Sequence, residues 1–163
     1  PSFKEGRMSN LSLLNGEGTE MIYQTILVAH DFSETGAKAF ERALKLRDAF
    51  DAKLHLLHVV EYVVPMDTSF GAISPFEGDL TDQLMDIGKQ RLKELADLHD
   101  IVPSHLHLEL GSPKVEIIRV AEALKADLIV LGTHGRHGLG LLLGSTAASV
   151  VNHASCDLLS VRL

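Results

Sequence analysis

Glycine is concentrated in one stretch of the chain, at Gly132, Gly135, Gly138, Gly140 and Gly144. Glycine lets the backbone adopt positive φ angles and approach a ligand closely. The last of these glycines precedes a Ser-Thr pair at the start of a predicted helix, where free N–H groups and the positive end of the helix dipole attract anions. The stretch predicts a phosphate-binding loop, and a flexible connection that binds nothing is the alternative.

Two known phosphate-binding motifs do not match this stretch. A P-loop requires Gly-Lys-Ser/Thr after its glycines, and no lysine is present there. The dinucleotide fingerprint Gly-x-Gly-x-x-Gly follows the first strand of a βαβ unit, whereas Gly135-x-x-Gly138-x-Gly140 has the reverse order and follows the fourth predicted strand. A second feature is Asp31, a carboxylate directly after the first predicted strand. Asp31 is a candidate ligand-binding residue, and the simpler alternative is that it caps the first helix.

The residue types used in catalysis and metal binding are not arranged for either purpose. The chain has no Gly-x-Ser-x-Gly elbow, no close carboxylate pair and no lysine in the glycine-rich stretch, so no catalytic set is predicted. His55 and His58 are three apart on a predicted strand and point to opposite faces. His105 and His107 share a face, but no cysteine or carboxylate at metal-ligand spacing accompanies them. We therefore expect no metal site.

The elements that position these residues alternate between strand and helix. Apolar runs predict five strands, at 23–29, 53–60, 105–110, 128–131 and 158–161. Periodicity and capping residues predict four helices, one after Ser33, one over 79–99, one from Pro113 to Lys125 after a Ser112 cap, and one over 145–153. Residues 61–78 contain two prolines and two glycines and predict a loop or lid.

This alternation indicates an α/β fold, an open parallel sheet with helices on both faces. In such sheets ligands bind beyond the carboxyl ends of the strands, where the strand order reverses. Asp31 and the glycine-rich stretch both follow strands and therefore share this edge. A carboxylate and a phosphate loop at one crevice are a more specific signal than either alone.

Composition and charge narrow the class of protein. One domain is expected from 163 residues, placed at 21–163, with residues 1–20 as a mobile N-terminal tail or an expression remnant. The net charge of −7 argues against a nucleic-acid partner, and no apolar run is long enough to span a membrane. Cys156 is the single cysteine, so no intrachain disulfide forms. A reducing, cytoplasmic setting is the expected location.

Two parts of the chain resemble the universal stress protein family. The first is Ile26-Leu-Val-Ala-His-Asp-Phe-Ser33, and the second runs from Ala126 through Gly135 to Leu143-Gly-Ser-Thr146 and the last strand. The resemblance covers about residues 22–163. It implies a Rossmann-like fold with five parallel strands, a homodimer that often pairs its last strands and, in one branch of the family, binding of ATP or AMP.

The resemblance also implies which residues bind the nucleotide. At the adenine–ribose end they are Asp31, with Ala29 and His30 beside it, and Val59, which contacts the adenine. The phosphates receive hydrogen bonds from Gly144, Ser145 and Thr146. Between the two ends lie Leu131 and the loop residues Gly132, Thr133, His134, Gly135, Arg136 and His137. The nucleotide-binding branch has Gly-x-x-Gly, nine residues, then Gly-Ser/Thr. Here eight residues separate Gly135 from Gly144. We therefore expect AMP or ADP to bind as well as ATP, with Mg²⁺ held only through the phosphates.

The family also leaves alternatives to a nucleotide-binding sensor or regulatory module. The shortened loop, and His30 where the family usually has a small or apolar residue, suit a nucleotide-independent dimer that acts through an unknown protein partner. Slow ATP hydrolysis or self-phosphorylation at Ser145 or Thr146 is a third hypothesis, based on family analogy alone.

Overall fold

The computed structural model describes residues 22–61, 75–133 and 143–163 of the chain. In these ranges strands and helices alternate as predicted. The strands are β1 Thr25–Ala29, β2 Lys53–Val60, β3 Leu106–Leu110, β4 Leu128–Gly132 and β5 Asp157–Val161. The helices are α1 Glu34–Phe50, α2 Pro75–Leu98, α3 Pro113–Leu124 and α4 Ser145–His153. A single 3₁₀ turn at Pro103–His105 precedes β3.

All five strands form one parallel sheet in the order β3-β2-β1-β4-β5. The predicted α/β fold with an open five-stranded parallel sheet is confirmed. The strand order reverses between β1 and β4, because β1 pairs with β2 on one side and with β4 on the other. This reversal opens a crevice at the carboxyl ends of the two strands, where ligands of such sheets bind.

Both faces of the sheet are buried, which explains the unbroken apolar runs of its central strands. On one face Ile26 and Val28 of β1 pack with Phe40 of α1 in a core that also includes residues of α2. On the other face Leu27 and Ile129 pack against α3 and α4. The side chains of Ile26, Leu27, Val28 and Ile129 are completely inaccessible to solvent. Two helical layers therefore fix the central strands on which the crevice is built.

Helix α2 differs from its prediction in its start and in its buried face. It begins at Pro75 rather than Asp79, so the end of the segment predicted as a loop is helical. Proline is favoured in the first turn of a helix, where its missing N–H is not needed. The sequence periodicity predicts one apolar face made of Leu80, Leu84, Ile87, Leu95 and Leu98. Leu80, Ile87 and Leu98 of that face are exposed, whereas Leu92 and Ala96 are buried. The predicted face is therefore wrong in part.

One glycine sets how closely α2 approaches the sheet. A Cβ atom on Gly88 would lie 2.9 Å from Leu108 Cδ1 and 3.1 Å from His58 Cδ2. Real Cβ atoms rarely approach so closely, so with a larger residue at position 88 either the Leu108 and His58 side chains or α2 would have to move. The close contact places the next turn of α2 over the carboxyl end of β2.

Both predicted N-cap residues occupy the N-cap position, but only one of them caps with its side chain. The Ser33 side chain accepts a hydrogen bond from the Gly36 N–H, as expected for the N-cap of α1. Ser112 is the N-cap residue of α3 as predicted, but its side chain makes no capping hydrogen bond. Pro113 begins that helix as predicted. No helix within the described ranges is long and apolar enough to cross a membrane.

Candidate functional site

A cavity of about 660 Å³ lies at the carboxyl ends of β1, β2 and β4. Ten of the predicted site residues line it, namely Ala29, His30, Asp31, Val59, Leu131, Gly132, Thr133, Gly144, Ser145 and Thr146. The other four, His134, Gly135, Arg136 and His137, lie outside the described residues. The fold therefore brings the two predicted halves of the site, more than a hundred positions apart in sequence, to one cavity.

Asp31 is tied to the start of α1. Its Oδ1 atom accepts hydrogen bonds from the backbone N–H of Ser33, at 3.0 Å, and from the Ser33 hydroxyl. The Ser33 hydroxyl in turn accepts the Gly36 N–H at 3.0 Å. A Cβ atom at Gly36 would lie 2.5 Å from Asp31 Oδ1, so this arrangement requires glycine there. Asp31 thus supports Ser33, the N-cap of α1, rather than capping the helix itself, and it also lines the cavity.

His30 uses its side chain to hold the same turn. Its ring is buried, with 6% exposure, and Nδ1 accepts the Phe32 N–H at 2.8 Å. Burial lowers the pKa of His30 to about 4, although the nearby Asp31 carboxylate acts in the opposite direction. Nδ1 is an acceptor, so the proton of the neutral ring is on Nε2. At neutral pH His30 therefore adds no positive charge to the cavity.

Phe32 adopts a left-handed backbone conformation, with φ of 59°. This conformation is uncommon for a bulky residue and needs support from its surroundings. The hydrogen bond from Phe32 N–H to His30 supplies part of that support. The Phe32 ring also lies against His58, with ring centroids 4.5 Å apart. The turn is therefore held by both hydrogen bonds and ring contacts.

The second half of the cavity is the start of α4. Gly144 is the N-cap, so α4 has no side-chain capping bond, and Ser145 occupies the first helical position. The Gly144 N–H donates to the Thr133 carbonyl at 2.8 Å, which brings the end of β4 against the helix start. The first-turn amides of a helix have no partners within the helix. They are therefore suited to receive an anion.

Gly132 has a packing reason to be glycine that is independent of any ligand. A Cβ atom there would lie 2.9 Å from both Cβ and Oγ1 of Thr35 and 3.0 Å from the Thr35 carbonyl carbon. Because α1 approaches β4 this closely, position 132 has no room for a side chain. This glycine alone is therefore not evidence of ligand binding.

Sequence reasoning missed the part of the cavity wall that α2 provides. Leu84, Ile87, Gly88 and Arg91 line the cavity, and they follow the i, i+3, i+4, i+7 spacing of one helical face. The Arg91 guanidinium lies 4.8 Å from the centre of the Phe32 ring, in cation–π geometry. Among the described lining residues, Arg91 is the single Lys or Arg. The helical spacing was a usable signal, but the sequence did not reveal where α2 would lie.

Comparisons with known proteins agree with one another. The model of the universal stress protein family matches residues 22–162. Universal stress protein A homolog 2 of Coxiella burnetii is 36% identical over 142 residues, which are 86% of this chain and 96% of that relative. The solved structure of universal stress protein UspA from Lactobacillus plantarum is 28% identical with a TM-score of 0.68, covering 86% of this chain and 98% of its own. A universal stress protein solved in complex with cAMP is 26% identical with a TM-score of 0.57, covering 86% and 97%.

Proposed function

This chain belongs to the universal stress protein family, and from that premise we propose that it binds an adenine nucleotide, AMP, ADP or ATP, as a sensor or regulatory module of the stress response. One observation supports this most strongly: the strand-end carboxylate Asp31 and the uncapped start of α4 line the same cavity. The cavity volume of about 660 Å³ is within the range of roughly 300–1,000 Å³ typical of small-molecule sites.

The proposed binding mode follows the chemistry of the two halves. The phosphates lie at the first turn of α4, where Ser145 and Thr146 offer hydroxyls and backbone amides. The adenine and ribose lie toward Asp31 and Val59. Arg91, which lies against the Phe32 ring, adds one positive charge to a lining that also includes the carboxylates of Asp31 and Glu61. A Mg²⁺ ion binds through the nucleotide phosphates, whose oxygens suit a hard cation.

We also propose how the protein assembles, where it is located and that it is not an enzyme. The protein is a cytoplasmic homodimer that pairs through β5, the last strand, which lies at one edge of the sheet. An unpaired strand edge is a natural site for pairing with a second copy. The protein is not an enzyme, because the cavity combines anion donors with one arginine and lacks an evident nucleophile–base pair among its described lining residues. The cAMP complex of a related protein supports a nucleotide as the ligand class.

The first experiment identifies what the purified protein carries. The protein is denatured, and its supernatant is analysed by anion-exchange chromatography with ultraviolet detection. Calorimetric titration of the nucleotide-free protein with AMP, ADP and ATP follows. We expect a stoichiometric nucleotide peak or a measurable heat of binding at millimolar concentration. An empty supernatant together with a flat titration for all three nucleotides contradicts the proposal.

A variant then locates the site. Gly135→Val is expected to abolish the heat of binding, because a β-branched side chain blocks close approach of the loop backbone. Gly78→Val is the matched control, since a Cβ atom at Gly78 has no neighbour within 4 Å. Circular dichroism checks that both variants fold. Equal nucleotide affinity in Gly135→Val and Gly78→Val removes the loop from the site.

A second candidate function is supported by the packing reasons found for two site residues. Asp31 holds Ser33, the N-cap of α1, and Gly132 accommodates Thr35, so neither requires a nucleotide. Under this candidate the protein is a nucleotide-independent dimer that acts through a protein partner. Tight nucleotide co-purifying with the protein rules it out. The third hypothesis, slow hydrolysis or self-phosphorylation at Ser145, fails if Ser145→Ala leaves phosphate release unchanged.

A further inference from the structure

Three histidines meet on one face of the sheet near the amino ends of β2 and β3, away from the cavity. This histidine cluster consists of His55, His105 and His107. Nδ1 of His55 and Nε2 of His107 are 3.0 Å apart. The ring centroids of His55 and His105 are 4.2 Å apart, and those of His55 and His107 are 5.2 Å apart. His55 is buried, whereas the other two rings are half-buried and reach solvent.

The parallel register of β2 and β3 produces this contact. Leu57 pairs with His107, so His55 lies two positions before the direct partner of His107 and on the same face. Diagonal neighbours on one face of a sheet are within reach of long side chains. The spacing of histidines along a single strand does not reveal this contact, since His55 and His58 on β2 face opposite ways. The pair that meets is the one across the two strands.

The rings of His55 and His107 are neutral at physiological pH. Burial lowers the pKa of His55 to about 4, with the neighbouring His105, His107 and Lys53 adding to the effect. Burial also lowers the pKa of His107, against the pull of Glu109. A proton shared between the two rings satisfies one nitrogen of each. Neutral imidazole is also the form that binds transition metals.

We propose that His55 and His107 form a two-nitrogen binding site for a late first-row divalent cation such as Zn²⁺, Ni²⁺ or Cu²⁺. Imidazole nitrogen suits these metals better than it suits Mg²⁺ or Ca²⁺. Metal–nitrogen bonds of about 2.0–2.1 Å hold two ligand nitrogens roughly 3 Å apart. The observed separation of 3.0 Å is therefore close to that of two ligands on one ion, which lies to one side of the line between the two nitrogens. Binding needs the tautomers in which His55 is protonated at Nε2 and His107 at Nδ1, so the proton of the hydrogen bond moves to the far nitrogen of its own ring.

The protein contributes two ligands, and water completes the coordination. In the part of the chain that the structure describes, no group of three or more His, Cys, Asp or Glu is placed to hold a metal ion. We therefore expect micromolar rather than nanomolar affinity. Because one ligand is on β2 and the other on the edge strand β3, the metal links the two strands and stabilises the folded state.

The test uses the full chain without an affinity tag, stripped of metal by a chelator and free of nucleotide. His134 and His137 are both replaced by alanine in every protein compared, so that the loop histidines do not compete. ZnCl₂, NiCl₂ and CuCl₂ are titrated separately by calorimetry, and thermal unfolding is followed with and without metal. We expect one equivalent of at least one metal to bind and to raise Tm.

His107→Ala is expected to weaken that binding at least tenfold and to abolish the rise in Tm. His153→Ala is the matched control, because His153 is exposed at the end of α4 and is not in the histidine cluster. With Cu²⁺, electron paramagnetic resonance gives a second readout, in which hyperfine splitting from two nitrogens is expected. Unchanged binding in His107→Ala overturns the proposal, as does the failure of all three metals to bind. Neither result depends on whether the cavity binds a nucleotide.

Discussion

The two loops that meet at the cavity use their polar groups in opposite ways. The turn between β1 and α1 satisfies its groups internally: Asp31 accepts from Ser33, Ser33 accepts from Gly36, and His30 accepts from Phe32. The start of α4 has Gly144 as its N-cap and no side-chain capping bond. The turn after β1 is held by its own hydrogen bonds, whereas the first turn of α4 has no side-chain cap and its amides can donate to a ligand.

This difference suggests that the turn after β1 contributes mainly to stability and the start of α4 mainly to binding, although both are polar segments that follow a strand. A buried polar group that already has a partner contributes to folding, and replacing it leaves the partner unsatisfied. An exposed first-turn amide gains a partner only when an anion or water arrives. Substitutions in the turn after β1 should therefore change mainly the free energy of unfolding. Substitutions at the start of α4 should change mainly ligand affinity.

The largest expected effect is at His30. Its pKa is about 4 in the folded protein and near 6.5 in the unfolded chain. Between these values the unfolded chain binds more protons, so stability is complete above pH 6.5 and falls as the pH drops toward 4. The loss has an upper limit of roughly 3 kcal/mol. Urea unfolding from pH 7.5 to 4 measures the combined loss from His30, His55 and His107, whose pKa values are all lowered by burial.

The variant His30→Leu isolates this contribution. It should lose about 1–3 kcal/mol at pH 7.5, because the Phe32 N–H loses its acceptor. It should also show a weaker dependence of stability on pH than the wild type. His153→Leu, at an exposed position, should keep the wild-type dependence. Parallel curves for His30→Leu and the wild type show that His30 does not titrate in this way.

The next largest effect is at Gly132, which lies at the end of β4 but serves packing. Gly132→Ala should cost about 2 kcal/mol of unfolding free energy, because the added Cβ meets Thr35 at 2.9 Å. Gly78→Ala is the control, and alanine in an open helical position should be neutral or stabilising by up to about 1 kcal/mol. Chemical denaturation compares them. If both variants have wild-type stability, the contact with Thr35 is softer than its geometry suggests.

The order of elements was predictable from the sequence because its signals are local. Each signal depends on a few neighbouring residues, as in the apolar runs of β1 and β4, the Ser33 cap of α1 and the Pro113 start of α3. Asp31 and Gly144 could be assigned to one edge because parallel strands all end on the same side. The assignment to the universal stress protein family rests on the same two motifs and is confirmed.

The parts that escaped prediction depend on contacts between elements. Arg91 reaches the cavity because Gly88 lets α2 approach the sheet, and no local pattern gives that distance. His55 meets His107 because of the register between β2 and β3, which a single strand does not encode. The exposed face of α2 was misjudged for the same reason, since periodicity shows which residues share a face but not what covers them.

The sharpest comparison of the two loops replaces one serine in each. Ser33→Ala should cost about 1 kcal/mol of stability, because the Gly36 N–H loses its cap and Asp31 loses a donor. Ser145→Ala should change stability by less than about 0.5 kcal/mol, because its side chain is exposed and does not cap α4. Ser145→Ala should instead lower nucleotide affinity about tenfold, which is roughly 1.4 kcal/mol.

Denaturant unfolding and nucleotide calorimetry give a change in stability and a change in affinity for each of the two variants. These four values show whether the two segments have different roles. The division of roles predicts a large stability change with Ser33→Ala and a large affinity change with Ser145→Ala. If Ser145→Ala destabilises the protein as much as Ser33→Ala does, the start of α4 is a structural element like the turn after β1. If neither variant changes the affinity, the Ser145 hydroxyl does not bind the phosphates.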